Sequence, residues 1–197
     1  MASKSTLNAK NLEALGAERL AQLLIEISTG DAAVKRKLRL ALAGAEGPRE
    51  AAREITKRLT SIAKARTFVN WQNRKTLVKD LQTQRSAITE QIAPHDPDEA
   101  MVLLWRFMGL ATPVFERCDD SSGTVIDIFH QACADLGEVA KAADPAPEAL
   151  ARQVLDALQD NGFGQYDGLI AIIAPALGPE GIAHLKTLVE DLGRTPV

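Results

Sequence analysis

Apolar residues recur along this chain at intervals of three and four, and no stretch alternates with period two. That spacing predicts amphipathic helices and no half-buried strands. Leu12, Leu15, Leu20, Leu23, Leu24 and Ile27 predict a first helix over 11–28, with Gly16 placed to split off its first turn. Gly30 stops that helix, Asp31 caps the next, and Val34, Leu38 and Leu42 mark its inward face. Gly44 and Gly47 end it. Pro48 then sits at a first-turn position ahead of the stripe Ile55, Leu59 and Ile62, with Glu54 and Arg58 spaced for an i,i+4 pair. Residues 66–71 interrupt the pattern before Leu77, Leu81, Ile88 and Ile92 resume it.

The central stretch, 99–137, reads as a helical hairpin around the turn 118–123. From Ala100 to Ala111 only Arg106 is charged, and a helix apolar on all sides is expected to be buried on all sides. Pro113 is expected to break or kink it after Thr112, because proline offers no N–H to Gly109. Thr124 and Asp127 suggest a capping box for the following helix, whose apolar face carries Val125, Phe129, Ala132, Leu136 and Val139. Leu150, Val154, Leu155 and Leu158 mark a helix over 147–160. Two more helices follow, over 169–177 and 182–192, the latter with Leu185, Leu188 and Val189 inward.

The openings Pro48-Arg-Glu-Ala, Pro97-Asp-Glu-Ala and Pro147-Glu-Ala recur at spacings of 49 and 50 residues. The expectation is an all-α single domain over 1–197 with a short tail over 1–6. About eight helices fall into successive antiparallel hairpins, approximately 11–47, 48–96, 97–146 and 147–193. They form a short irregular helical-repeat stack or a compact helical bundle. Alternating hairpins would bring the turns 66–71, 119–123 and 163–168 to one edge and the proline linkers to the other.

Composition sharpens this picture. The chain is 46% hydrophobic but only 4% aromatic, and its apolar content is mostly Ala and Leu, which favour helix. The N-terminal stretch lacks an apolar run of signal-peptide length, and the run 169–177 is too short to span a bilayer, so a soluble cytoplasmic protein is expected. Cys118 and Cys133 supply no disulfide framework. Net charge is −3, but residues 1–93 carry 17 basic against 9 acidic residues and residues 94–197 carry 6 against 17. That asymmetry allows a monomer or a weak, salt-sensitive, head-to-tail self-association.

Three blocks stand out: FVNWQNRK at 68–75, LLWRFMGLATPVFERCDDSSG at 103–123 and LQDNGFGQYDGLIAIIAPALGPEG at 158–181. Together they resemble a family of uncharacterised, all-helical bacterial proteins, over about residues 7–192. The resemblance implies a helical-repeat-like fold and no established activity.

The chemistry on offer is thin. Asp119, Asp120 and Ser122, with Asp127 and His130 nearby, are oxygen-rich but lack calcium-loop spacing and read first as capping and turn residues. Cys118, His130 and Cys133 lack a fourth ligand for zinc. The glycine-rich segment around Phe163, Tyr166 and Asp167 follows a helix rather than a strand, so it is not a phosphate-binding fingerprint; Asp167 reads as an N-cap. No metal, cofactor or catalytic residue is therefore assigned. Arg106 is expected to bury its stem and pair with Asp119, Asp120 or Asp167.

The leading expectation is a protein-interaction or adaptor module whose binding residues are Arg66, Phe68, Trp71, Arg106, Asp119, Asp120, Ser122, Phe163, Tyr166 and Asp167. Phe68 and Trp71 are also expected to pack against helix ends. The alternative is nucleic-acid binding through the basic segment 49–85, with Arg49, Arg53, Lys57, Arg74, Lys75 and Lys79 on phosphates. An enzyme or ligand-binding protein using the loops 119–123 and 163–168 comes third. No membrane partner is expected.

Overall fold

A computed structural model describes residues 6–194, and among them all regular secondary structure is helical. The periodicity is realised as α1 (Ala9–Glu13), α2 (Ala17–Ser28), α3 (Ala32–Glu46), α4 (Pro48–Lys64), α5 (Arg74–Ala87), α6 (Pro97–Met108), α7 (Ala111–Phe115), α8 (Ile126–Ala143), α9 (Pro147–Gln159) and α10 (Leu169–Arg194). A π-helical turn, Ile88–Ile92, extends α5. Each of the three recurring prolines opens a helix, at α4, α6 and α9. Proline has no N–H to leave unpaired in a first turn, and its fixed φ suits that position.

The chain divides into two compact units, 1–42 and 43–197. The first holds α1, α2 and most of α3. Asp31 caps α3 as expected, accepting from the N–H groups of Ala33 and Val34 at 2.8 and 3.0 Å. The inward face predicted for α3 is displaced, however. Leu40 is buried, whereas Leu42 is 68% exposed.

The second unit is an all-α helical bundle. α6 packs on α8, α8 on α10, α9 on α10, and α4, α5 and α6 gather around the π turn. Its centre holds Phe107, Phe129, Leu103, Leu104, Met108 and Leu136, with Ile55 and Leu59 from α4. The Phe129 ring lies 5.5 Å from both Phe107 and Phe115. Gly137 on α8 permits a close helix approach, since a Cβ there would stand 2.9 Å from the carbonyl oxygen of Ile172 on α10.

Several local expectations change. α6 is not buried all round, because Val102 is 56% exposed and Arg106 faces solvent. The helix breaks at Gly109–Leu110, so Pro113 falls within the first turns of α7, where its missing donor costs little. α3 runs through Gly44 and ends only before Gly47. Arg58 reaches across to Asp80 on α5 instead of pairing with Glu54, which bonds Lys57. Arg85 joins α5 to α8 through Asp135 at 2.6 Å, and burial still raises the Asp135 carboxyl pKa against the pull of that guanidinium. Val189 is half exposed rather than inward.

α10 is, among the described residues, the helix long and apolar enough by length and composition to cross a membrane. It is not continuous. Gly178 adopts φ 59° and ψ −176° between Leu177 and Pro179, which divides the segment into the two helices that the apolar pattern predicts.

Candidate functional site

Loops 65–73 and 116–125 are joined by specific bonds, and loop 160–168 is held against α7 and α8. The first two make a single parallel bridge between Val69 and Cys118. The Val69 N–H donates to Arg117 O at 2.7 Å, and the Asp119 N–H donates to Val69 O at 3.1 Å. Two arginines reinforce this bridge. Arg74 Nη1 donates to Asp119 O at 2.9 Å. Arg117 donates to Thr67 O at 3.2 Å and to Ile62 O at 3.4 Å. Burial lowers the Arg117 pKa, and the neighbouring Arg58 adds to that lowering. Both side chains are therefore committed to holding backbone.

Loop 116–125 is also closed internally. Asp120 accepts from the N–H groups of Val125 and Ile126 at 3.0 and 2.9 Å and caps α8. It thereby displaces the predicted Thr124–Asp127 box, since the loop folds back to place a carboxylate directly over the helix start. Asp119 accepts from the Ser121 N–H at 3.1 Å, and that bond lowers its pKa. Ser122 is exposed, its hydroxyl 3.1 Å from that of Thr124.

Loop 160–168 is built around buried Gln165, which accepts from the Phe163 N–H and donates to Asp160 O. Asn161 bridges the loop, accepting from the Tyr166 N–H at 2.8 Å and donating to Asp167 at 2.9 Å. Asp167 thus ties the loop rather than capping α10. Tyr166 is buried with its ring centroid 6.4 Å from that of Trp105, and burial pushes its phenol up to about 12. It is a positioning residue, not a surface contact. Phe163 stacks on Phe115 at 5.1 Å, and His130 Nε2 lies 3.0 Å from Gly164 O. A carbonyl only accepts, so this bond places the proton on Nε2. These two contacts tie the third loop to the end of α7 and to α8.

On these loops Phe68, Trp71 and Phe163 are 62%, 66% and 43% exposed. Phe68 and Trp71 do not pack against helix ends as expected but stand largely in solvent on the loop held by the Val69 bridge. Arg66 is exposed beside them. Arg106 does not join the edge: it donates to Thr60 on α4 at 2.8 Å. Asp120, its expected partner, is occupied by the cap of α8.

The six basic residues named for nucleic acid are scattered in role. Arg53 and Lys57 pair along α4 with Glu50 and Glu54, Arg74 holds the bridge, and Arg49, Lys75 and Lys79 are exposed. Arg49 and Arg53 also line a groove of about 460 Å³ with Ile92, Asp96 and Glu99. Sequence reasoning missed this groove, although Pro48 and Pro97 mark the starts of the two helices that form it. It also missed Phe115 and Arg117, whose roles depend on partners nearly 50 residues away.

DUF6880, a family of unknown function, matches residues 2–197. The chain belongs to that family. Neither a curated protein nor a solved structure matches it. DUF6880 membership therefore agrees with the resemblance read from the three blocks, two of which carry the edge loops and the third of which includes loop 160–168.

The site holds no group of three metal-ligating side chains among its described residues. Its thiols are also poorly placed for nucleophilic work. Burial raises the Cys118 pKa, with Asp120 adding to the effect, and burial pushes Cys133 up to about 11. A thiol reacts through its thiolate, so the native chain should take up iodoacetamide at pH 7 at least about 10-fold more slowly than the urea-unfolded chain. Equal rates would show that the thiols are accessible in the folded protein.

Proposed function

We propose that the protein is an interaction module that docks a protein partner on the aromatic edge formed by loops 65–73, 116–125 and 160–168. The observation that carries this reading is the exposure of Phe68, Trp71 and Phe163 on loops whose backbones are fixed by bridge, cap and side-chain bonds. Tryptophan and other aromatics dominate binding energy at interfaces, and a rigid loop loses little entropy when it binds. The reduced thiols expected of a cytoplasmic setting suit buried Cys118 and Cys133.

The test has two parts. A photo-crosslinking residue at position 71 should trap one discrete protein in the native cell, and the same residue at exposed Lys141 should not. With that partner purified, the double variant Phe68→Ala/Trp71→Ala should bind roughly 30-fold more weakly at unchanged melting temperature. Equal crosslinking from both positions, or unchanged affinity, refutes the reading.

A second reading is single-stranded nucleic acid stacked on Trp71 and Phe68 with Arg66 and Lys75 on phosphates, favoured by the exposure of all four side chains. Glu116 and Asp119 on the adjoining loop oppose it. Anisotropy with a labelled oligonucleotide decides: binding that falls steeply with salt supports this reading, and none at low salt removes it.

A further inference from the structure

Of the five asparagines in this chain, Asn161 is the one followed by glycine. The amide carbon of an asparagine is open to attack by the backbone nitrogen of the next residue, and a glycine there has no side chain to obstruct the approach. The local structure leaves that nitrogen available. Gly162 is exposed, and nothing lies within 4 Å of the position its Cβ would take. Among the described residues its N–H has no hydrogen-bond acceptor.

The Asn161 side chain, by contrast, is held at both of its polar atoms. Its Oδ1 accepts from the Tyr166 N–H at 2.8 Å, and its Nδ2 donates to Asp167 Oδ1 at 2.9 Å. The second bond needs an amide, because a carboxylate has no proton to give to another carboxylate. With an acid at position 161 the Tyr166 bond could persist, but the other oxygen would face Asp167, and like charges at that distance repel. We propose that Asn161-Gly162 is a site of spontaneous deamidation, restrained in the closed loop by the Asn161–Asp167 bond, and that deamidation unties loop 160–168.

In the reaction, Gly162 N bonds to Asn161 Cγ and the Cγ–Nδ2 bond breaks. Nδ2 leaves as ammonia with the proton from Gly162 N, and a succinimide ring is closed. Water then opens that ring at one of its two carbonyls, giving aspartate or isoaspartate with no other reactant. Either product carries a carboxylate, so a loop that has opened and reacted no longer has the donor that closed it. Phe163, stacked on Phe115, and Tyr166, beside Trp105, lie within the untied segment. The site does not rest on the docking reading, since its readouts are mass and amide exchange.

Peptide mapping by mass spectrometry, on the full chain held in mildly alkaline buffer, should find Asn161 converted at least about 10-fold more slowly in the native protein than in urea, because reaction waits on loop opening. Asp167→Ala removes the restraint and should raise the native rate at least about threefold. Isomerisation at Asp167-Gly168 leaves the mass unchanged and is not confused with it. In amide exchange, Asn161→Asp should speed residues 160–168 about 10-fold with α4 unchanged. Adding Asp167→Asn puts the donor on the other side of the same bond and should restore wild-type protection. Equal native and unfolded rates overturn the proposal. So does an Asp167→Ala rate no higher than wild type, an Asn161→Asp loop as protected as wild type, or a double variant no better than Asn161→Asp alone.

Discussion

Phe129→Ala should lose about 3–5 kcal/mol of folding stability, the range for truncating a fully buried phenylalanine. Phe129 has no solvent exposure and is packed between Phe107 and Phe115. Single domains have only about 5–15 kcal/mol in total, so the variant should unfold at a markedly lower urea concentration. Its effect should also be directional. Phe115, which leans on Phe129, is the ring on which Phe163 stacks. Removing the central ring withdraws support from loop 160–168, and amide exchange there should accelerate more than in α4. Phe129→Leu keeps most of the volume and should cost less than about 1.5 kcal/mol. An alanine variant as stable as the wild type would mean that this aromatic row is not the core of the bundle.

Gly137→Ala should cost up to about 3 kcal/mol, the upper end for overpacking a well-filled interior. The added Cβ would lie 2.5 Å from Ile172 Cγ2 and 2.9 Å from its carbonyl oxygen. A side chain can rotate away, but the carbonyl belongs to α10 and moves only with that helix. The helix propensity of alanine over glycine favours the substitution by about 1 kcal/mol, so any net loss measures the steric term against an opposing preference. Gly193, in the second of the two helices of the α10 segment and with nothing near its Cβ, is the control. Gly193→Ala should be neutral or stabilising. If Gly137→Ala also stabilises, α8 and α10 are not in close backbone approach.

Much of the architecture was written in local chemistry. The all-α class follows from the three-and-four apolar spacing and the absence of alternation. The starts of α4, α6 and α9 follow from Pro48, Pro97 and Pro147, and the division of α10 follows from Gly178-Pro179. These signals act within a turn or two of the chain, so the sequence carries them directly. The loops 65–73, 116–125 and 160–168 were equally visible as interruptions of periodicity.

Only the tertiary structure decided what those interruptions do. The Val69–Cys118 bridge, the Arg117 clamp on Thr67 O, and the stacking of Phe163 on Phe115 join residues roughly 50 positions apart. No local pattern specifies such partners. For the same reason Arg106 was assigned to the acidic loop, when the rotation of α6 turns it toward Thr60 on α4. Asp120, read first as a capping or turn residue, does cap a helix, but that it caps α8 in place of Thr124 depends on the loop returning to the helix start. Phe68 and Trp71 read both as binding residues and as side chains packed against helix ends. Both are exposed on a loop that a two-bond bridge at Val69 holds, and a backbone pairing of that kind leaves no trace in composition or spacing.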